Sequence, residues 1–191
     1  MSPILKGVVA SQISGHLSAP GSYESIATFT LSSNQQSVTF SSIPSTYKDI
    51  EIRYISRDTY TNSYPGLQIL FNGAGFTSRH VLGGAGSGGA TGSSGGGGGG
   101  QAYLGESIGN DLDANNYFNG ILRVVDYANT NKNKTFWNLT GGMGNSTSGH
   151  LYMYGGSLSS TSAISSVTLQ EGDTNFKLMA GSTYALYGIK G

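Results

Sequence analysis

The chain of 191 residues has no cysteine, four prolines, one tryptophan and three histidines. Without cysteine there is no disulfide framework, no zinc ribbon and no thiol nucleophile. His16, His80 and His150 lie far apart and show no metal-ligand spacing, so neither metal catalysis nor a cofactor is expected. Charge is scarce: ten Lys+Arg balance ten Asp+Glu, and charged residues make 10% of the chain, against about 25% in an average soluble domain. A neutral chain without a basic block gives nucleic acid no electrostatic footprint. No apolar run approaches the roughly 18 residues that a membrane helix needs. Met1–Gly7 lacks the basic-then-apolar pattern of a secretion signal. Synthesis in a reducing cytoplasm fits, and so does a protein that must outlast changing redox conditions outside a cell. Such a protein, lacking staples, gains stability elsewhere, often by oligomerising.

What is present is Gly, Ser, Thr and Asn, which together make nearly half of the chain. These residues favour turns and resist helix interiors. Sustained apolar spacing of three and four residues is absent, whereas period-two alternation recurs. Tyr23–Leu31, Ser37–Ile43 and Leu67–Phe71 alternate, the last stopping at the turn dipeptide Asn72-Gly73. Ile50, Ile52 and Tyr54 alternate with Glu51 and Arg53 as a half-buried strand. Tyr117–Tyr127, Lys134–Thr140, Leu151–Tyr154, Ile164–Leu169 and Thr183–Ile189 complete about nine strands. Strands without intervening helices predict an all-β fold, an antiparallel β-sandwich or jelly roll.

Two segments stand outside the pattern. Residues 1–20 carry Ile4, Leu5, Val8, Val9 and Ile13 between small residues and end at Pro20-Gly21. They read as an N-terminal docking arm ahead of a β-sandwich domain at 21–191, with a first sandwich strand as the competing view. Gly83–Gly100 holds twelve glycines in eighteen residues. It reads as a long Gly-rich loop within one sandwich, because neither half of the chain has enough large apolar residues for its own core.

Catalytic patterns are weak. Gly105-Glu106-Ser107-Ile108-Gly109 spells the hydrolase elbow G-x-S-x-G, with Asp126 and His150 following in order. The motif needs a helix next, and Asn110–Asn116 is turn chemistry, so the match follows from composition and no enzyme is expected. Asp111-Leu112-Asp113-Ala114-Asn115 starts like a calcium loop but has Asn116 where the loop glycine belongs and Leu122 where the bidentate glutamate belongs. A solvated loop is the better reading. Tyr60 and Tyr64, in a polar stretch, and Trp137, beside Phe136, are the candidate glycan-binding or interface aromatics; packing at an interface or in the core is the simpler role.

Several stretches carry a resemblance. Pro3-Ile4-Leu5-Lys6-Gly7-Val8-Val9-Ala10-Ser11, Tyr23-Glu24-Ser25-Ile26-Ala27-Thr28, Phe40-Ser41-Ser42-Ile43-Pro44-Ser45-Thr46-Tyr47-Lys48-Asp49-Ile50-Glu51-Ile52-Arg53, Ile164–Leu169 and Gly181–Gly191 resemble small β-rich virion proteins of tailed bacteriophages, especially those of cyanobacteria. The resemblance implies a non-enzymatic structural protein of the particle surface, made in the host cytoplasm: a capsid decoration (cement) protein or a short fibre or tail appendage. Its partners would be copies of itself, as a homotrimer, and phage capsid or tail proteins. The alternative is a glycan-binding receptor module of a tail fibre, with a host surface glycan as partner. The glycine block is longer than that pattern leads one to expect.

Overall fold

The computed structural model describes residues 22–61, 64–85, 90–97 and 103–191. Twelve strands run through them: β1 (Tyr23–Thr30), β2 (Ser37–Phe40), β3 (Asp49–Ser56), β4 (Gly66–Phe71), β5 (Ser78–Ala85), β6 (Ala90–Gly97), β7 (Tyr103–Glu106), β8 (Phe118–Val125), β9 (Lys134–Met143), β10 (Gly149–Leu158), β11 (Val167–Glu171) and β12 (Thr183–Ile189). They form two antiparallel sheets, one ordered β1-β12-β3-β8-β9-β10-β5-β6 and the other β2-β11-β4-β7. Both sheets mix strands from before and after the glycine block. Among the described residues no helix is long and apolar enough to cross a membrane. The docking-arm residues Ile4, Leu5, Val8, Val9 and Ile13 lie outside the described residues.

Period-two alternation explains the core. Ile50, Ile52 and Tyr54 of β3 point inward and are at most 2% exposed, as are Leu122 and Val124 of β8 and Tyr184 and Leu186 of β12. The smaller sheet answers with Val38 and Phe40, Leu67, Ile69 and Phe71, Leu104, and Val167 and Leu169. These two inner faces form one apolar layer between the sheets, and its burial is the main favourable term in folding. A polar bridge crosses it. The Asn138 amide of β9 donates to Tyr54 Oη of β3 (2.9 Å) and to the Leu104 carbonyl of β7.

The Asn72-Gly73 turn forms as its chemistry predicts, with φ of 50° and 77°. Both angles are left-handed, the region that Asn and Gly tolerate best. Phe71 and Ala74 exchange backbone hydrogen bonds across it, at 2.7 and 2.9 Å.

The Gly-rich region departs from expectation. It is not a plain loop: Gly83–Ala85 finish β5, and Ala90–Gly97 form β6, paired in register with β5 from Ser78↔Gly97 to Ala85↔Ala90. A strand made of glycine and serine has no apolar alternation to announce it, and β6 takes the outermost place in the sheet, where a weak strand former is tolerated. Gly83 has a specific task as well. It sits opposite Tyr152 of β10, and a Cβ there would overlap the Tyr152 ring.

Gly120 of β8 is under the same constraint in the core. It faces Tyr54, whose ring occupies the space a side chain would take. The Tyr54 hydroxyl is fixed by Asn138 and sits close to Gly105 of β7, so the ring has little room to retreat. Gly120→Ala is therefore expected to cost about 1–3 kcal/mol of stability through overpacking. The check is a lower urea midpoint at unchanged m-value.

Candidate functional site

The larger sheet is apolar on both faces at one end. Ile121 of β8 lies opposite Leu139 of β9, Leu139 opposite Met153 of β10, and Met153 opposite Leu82 of β5. This is a straight row across four strands on the side facing away from the core. The neighbouring row runs Ile55, Asn119, Gly141, Leu151, Gly84. Leu82, Leu151, Met143 and Met153 each expose half or more of their surface, and Ile55, Leu139 and Ile121 expose 49%, 43% and 36%. An open dish of about 340 Å³ lies beside Gly141, ringed by Asn119, Ile121, Leu139, Met143 and Leu151, with the Leu151 side chain leaning over the glycine. Two-sided apolar strands belong in sheets whose two faces are both covered. The smaller sheet covers one of them.

The opposite end of that same outer face is polar but internally settled. The Arg53 guanidinium lies between the Tyr23 and Tyr187 rings, 5.3 and 5.1 Å from their centroids. Its Nε donates to Glu51 Oε1 at 2.8 Å, and Arg123 donates to Asp49 at 2.6 Å. Each cation there already has an anion, so the border of the apolar rows projects little net charge.

The sequence-predicted aromatics do not form one site. Trp137 is two residues from Leu139 on the same strand and face, half-buried, opposite Arg123 and Gly155. Tyr60 packs edge-on against Phe176, with centroids 4.4 Å apart. Tyr64 lies over the His150 ring at 3.8 Å, and its hydroxyl donates to Ser148 Oγ at 3.0 Å. His150 belongs to the core-side row of β10 with Tyr152 and Tyr154, so Tyr64 and Trp137 are on opposite sides of the sheet.

Two proton-sharing pairs lie beneath the surface. His150 Nδ1 and Glu106 Oε2 are 2.8 Å apart. Burial pushes the Glu106 carboxyl up to about 8 and the imidazole below its ordinary value. At neutral pH the two therefore hold one proton between them, on the hydrogen bond that joins them. The second pair is Asp58 with Glu171, 0% and 4% exposed. The Tyr60 backbone N–H donates to Asp58 Oδ1, and the Gly172 and Asp173 N–H groups donate to Glu171 Oε1. Asp58 Oδ2 and Glu171 Oε2 have no donor among the described residues. Burial first, and the Glu171 charge second, push Asp58 up to about 8; burial raises Glu171 as well. Two buried carboxyls in contact cannot both ionise, so one proton is shared.

The G-x-S-x-G serine belongs to this interior. Ser107 is fully buried and donates to Ser56 Oγ at 3.1 Å, while its neighbour Glu106 takes His150. The calcium-like loop is organised around a side chain. Arg57, 2% exposed, donates to the carbonyls of Leu112, Asp113 and Asn116 at 2.9, 2.8 and 2.9 Å. These oxygens face a guanidinium, and among the described residues no group of three or more His, Asp or Glu could hold a metal ion.

The outer rows escaped sequence reading although a signal existed. Tyr54-Ile55, Ile121-Leu122 and Leu151–Tyr154 put large apolar or aromatic residues at both parities of their strands. No family model matches the chain, and no curated protein or solved structure matches it either.

Proposed function

We propose that the chain is a non-enzymatic structural protein of a phage particle surface, a decoration or fibre-like appendage that works in copies and attaches through residues 1–20. The observation that carries this reading is the strand order. If β5–β6 and β9–β10 are taken as inserted hairpins, the remaining strands run β1-β12-β3-β8 and β2-β11-β4-β7. That order is the wiring of an eight-stranded jelly roll, in which the first and last strands pair and each sheet alternates early and late strands. Jelly rolls are a frequent frame for viral capsid domains and for lectins. The stretches that resemble virion proteins, the neutral charge and the lack of cysteine favour the first of these. Because a fold hosts many functions, the wiring supports the class and leaves the location to experiment.

The test is location and attachment. Antibody labelling of intact particles is expected to decorate the capsid or the tail at regular positions. A chain lacking residues 1–20 is expected to keep its β circular-dichroism spectrum and to stop binding particles. Absence from purified particles would overturn the proposal. Binding to a host glycan by a protein that no particle carries would favour the lectin reading instead.

A further inference from the structure

We infer that the apolar outer face of the larger sheet, centred on Ile121, Leu139, Met153 and Leu151, is the seam at which copies of this chain meet. The inference deepens the reading of a protein that works in copies, by naming the surface that joins them.

Size comes first. The seven exposed side chains of the two rows and Met143 present on the order of 600 Å² of apolar surface, at the upper limit for a patch left open on a monomer. A stable interface takes about 800 Å² from each partner. With its rim, the face supplies what a partner of equal size needs. Chemistry then selects the partner. From Ile121 to Leu82 the central row carries no charged group, and Arg53, which ends it, is neutralised by Glu51 within its own chain. The face therefore offers nothing to an acidic or basic partner and suits one as apolar as itself. Copies of a chain with zero net charge do not repel each other. Shape agrees as well: the dish between Ile121, Leu139, Met143 and Leu151 and the exposed Leu82, Met153 and Ile55 lie on one face, so a symmetry mate brings protruding side chains to the recess and receives them in return. Two such faces pack as sheets do, about 10 Å apart.

The experiment uses the full chain. Light scattering across a concentration series is expected to give an oligomer at micromolar concentration. The double variant Leu139→Lys, Met153→Lys is expected to weaken association at least 100-fold. Both positions are exposed, so its melting curve, measured below the wild-type association range, should match the wild-type monomer. As a second measure, Met153→Cys in this cysteine-free chain is expected to be shielded from a maleimide at high concentration and to react on dilution. A wild-type monomer at 100 micromolar overturns the inference. So does a double variant of unchanged mass, or shielding that does not depend on concentration, which would mean that a segment of the same chain covers the face. The outcome is separate from particle location. Failure to find the protein on particles leaves the seam standing, and a monomeric particle protein would refute the seam alone.

Discussion

Asp58→Asn is expected to make the protein more stable at pH 8–9 and to change little near pH 4. In the folded chain Asp58 keeps its proton up to about pH 8, whereas unfolded it releases it near 3.8. A carboxyl raised by folding contributes stability that is complete at low pH and is lost as pH climbs from about 4 to about 8. The loss is on the order of 3–5 kcal/mol for a shift of this size in a buried group. Asparagine keeps the oxygen that accepts from Tyr60 N and offers Glu171 Oε2 an N–H that no pH removes. Glu106 carries the same sign, so the variant should abolish part of the alkaline loss, and adding Glu106→Gln should abolish more. His150 has the opposite sign: lowered by burial, it costs stability as pH falls through its ordinary 6.5. Urea titrations at pH 4, 6, 8 and 9 read all three. A wild-type protein equally stable at pH 5 and pH 9 would refute the shared proton.

Arg57→Met should be among the more damaging single changes outside the apolar core, costing about 1–3 kcal/mol through the carbonyls it leaves without a donor. The guanidinium satisfies three carbonyls at once, and methionine fills its volume while leaving those oxygens without a donor. Loop 112–116 is also tied to Gly144, through Asp113 N and Asn116 Nδ2. Its loosening should reach the turn between β9 and β10. Hydrogen exchange is expected to show lost protection at residues 112–116 and 143–148 before the rest of the sheet. Arg57→Lys should recover part of the stability, because an ammonium restores charge and donors without the planar fork. Unchanged stability in Arg57→Met would mean that the carbonyls find water.

Legibility in the sequence followed side-chain alternation. The strand at Ile50-Ile52-Tyr54 was readable because inward apolar residues alternate with Glu51 and Arg53, and Asn72-Gly73 named its own turn. The hairpin β5–β6 was not, because Gly83, Gly84 and the residues after them carry no period for a sheet to impose. The outer rows were half-legible: Ile121-Leu122 and Tyr54-Ile55 say that both faces want cover, but only the pairing registers show that Ile121, Leu139, Met153 and Leu82 fall in line. The carboxyl pair left no local trace. Asp58 and Glu171 are distant in sequence, and Arg57-Asp58 looks like an ordinary adjacent ion pair. Folding sends the two side chains to different partners.

The position of the last strands sets an order in time. β12 lies between β1 and β3, and β11 lies between β2 and β4, so an interior position in each sheet waits for a segment near the end of the described chain. Until residue 189 is available, β1 has no partner and β3 lacks one neighbour. A nascent chain cannot bank a finished sheet part by part as a helical bundle can, and its early strands stay open to wrong pairings. The low charge that lets copies sit side by side gives those open strands little repulsion to keep them apart. A product that stops before Thr183 has every strand of the smaller sheet but lacks β12, so β1 is left without its partner and the larger sheet without Tyr184 and Leu186 of its core face.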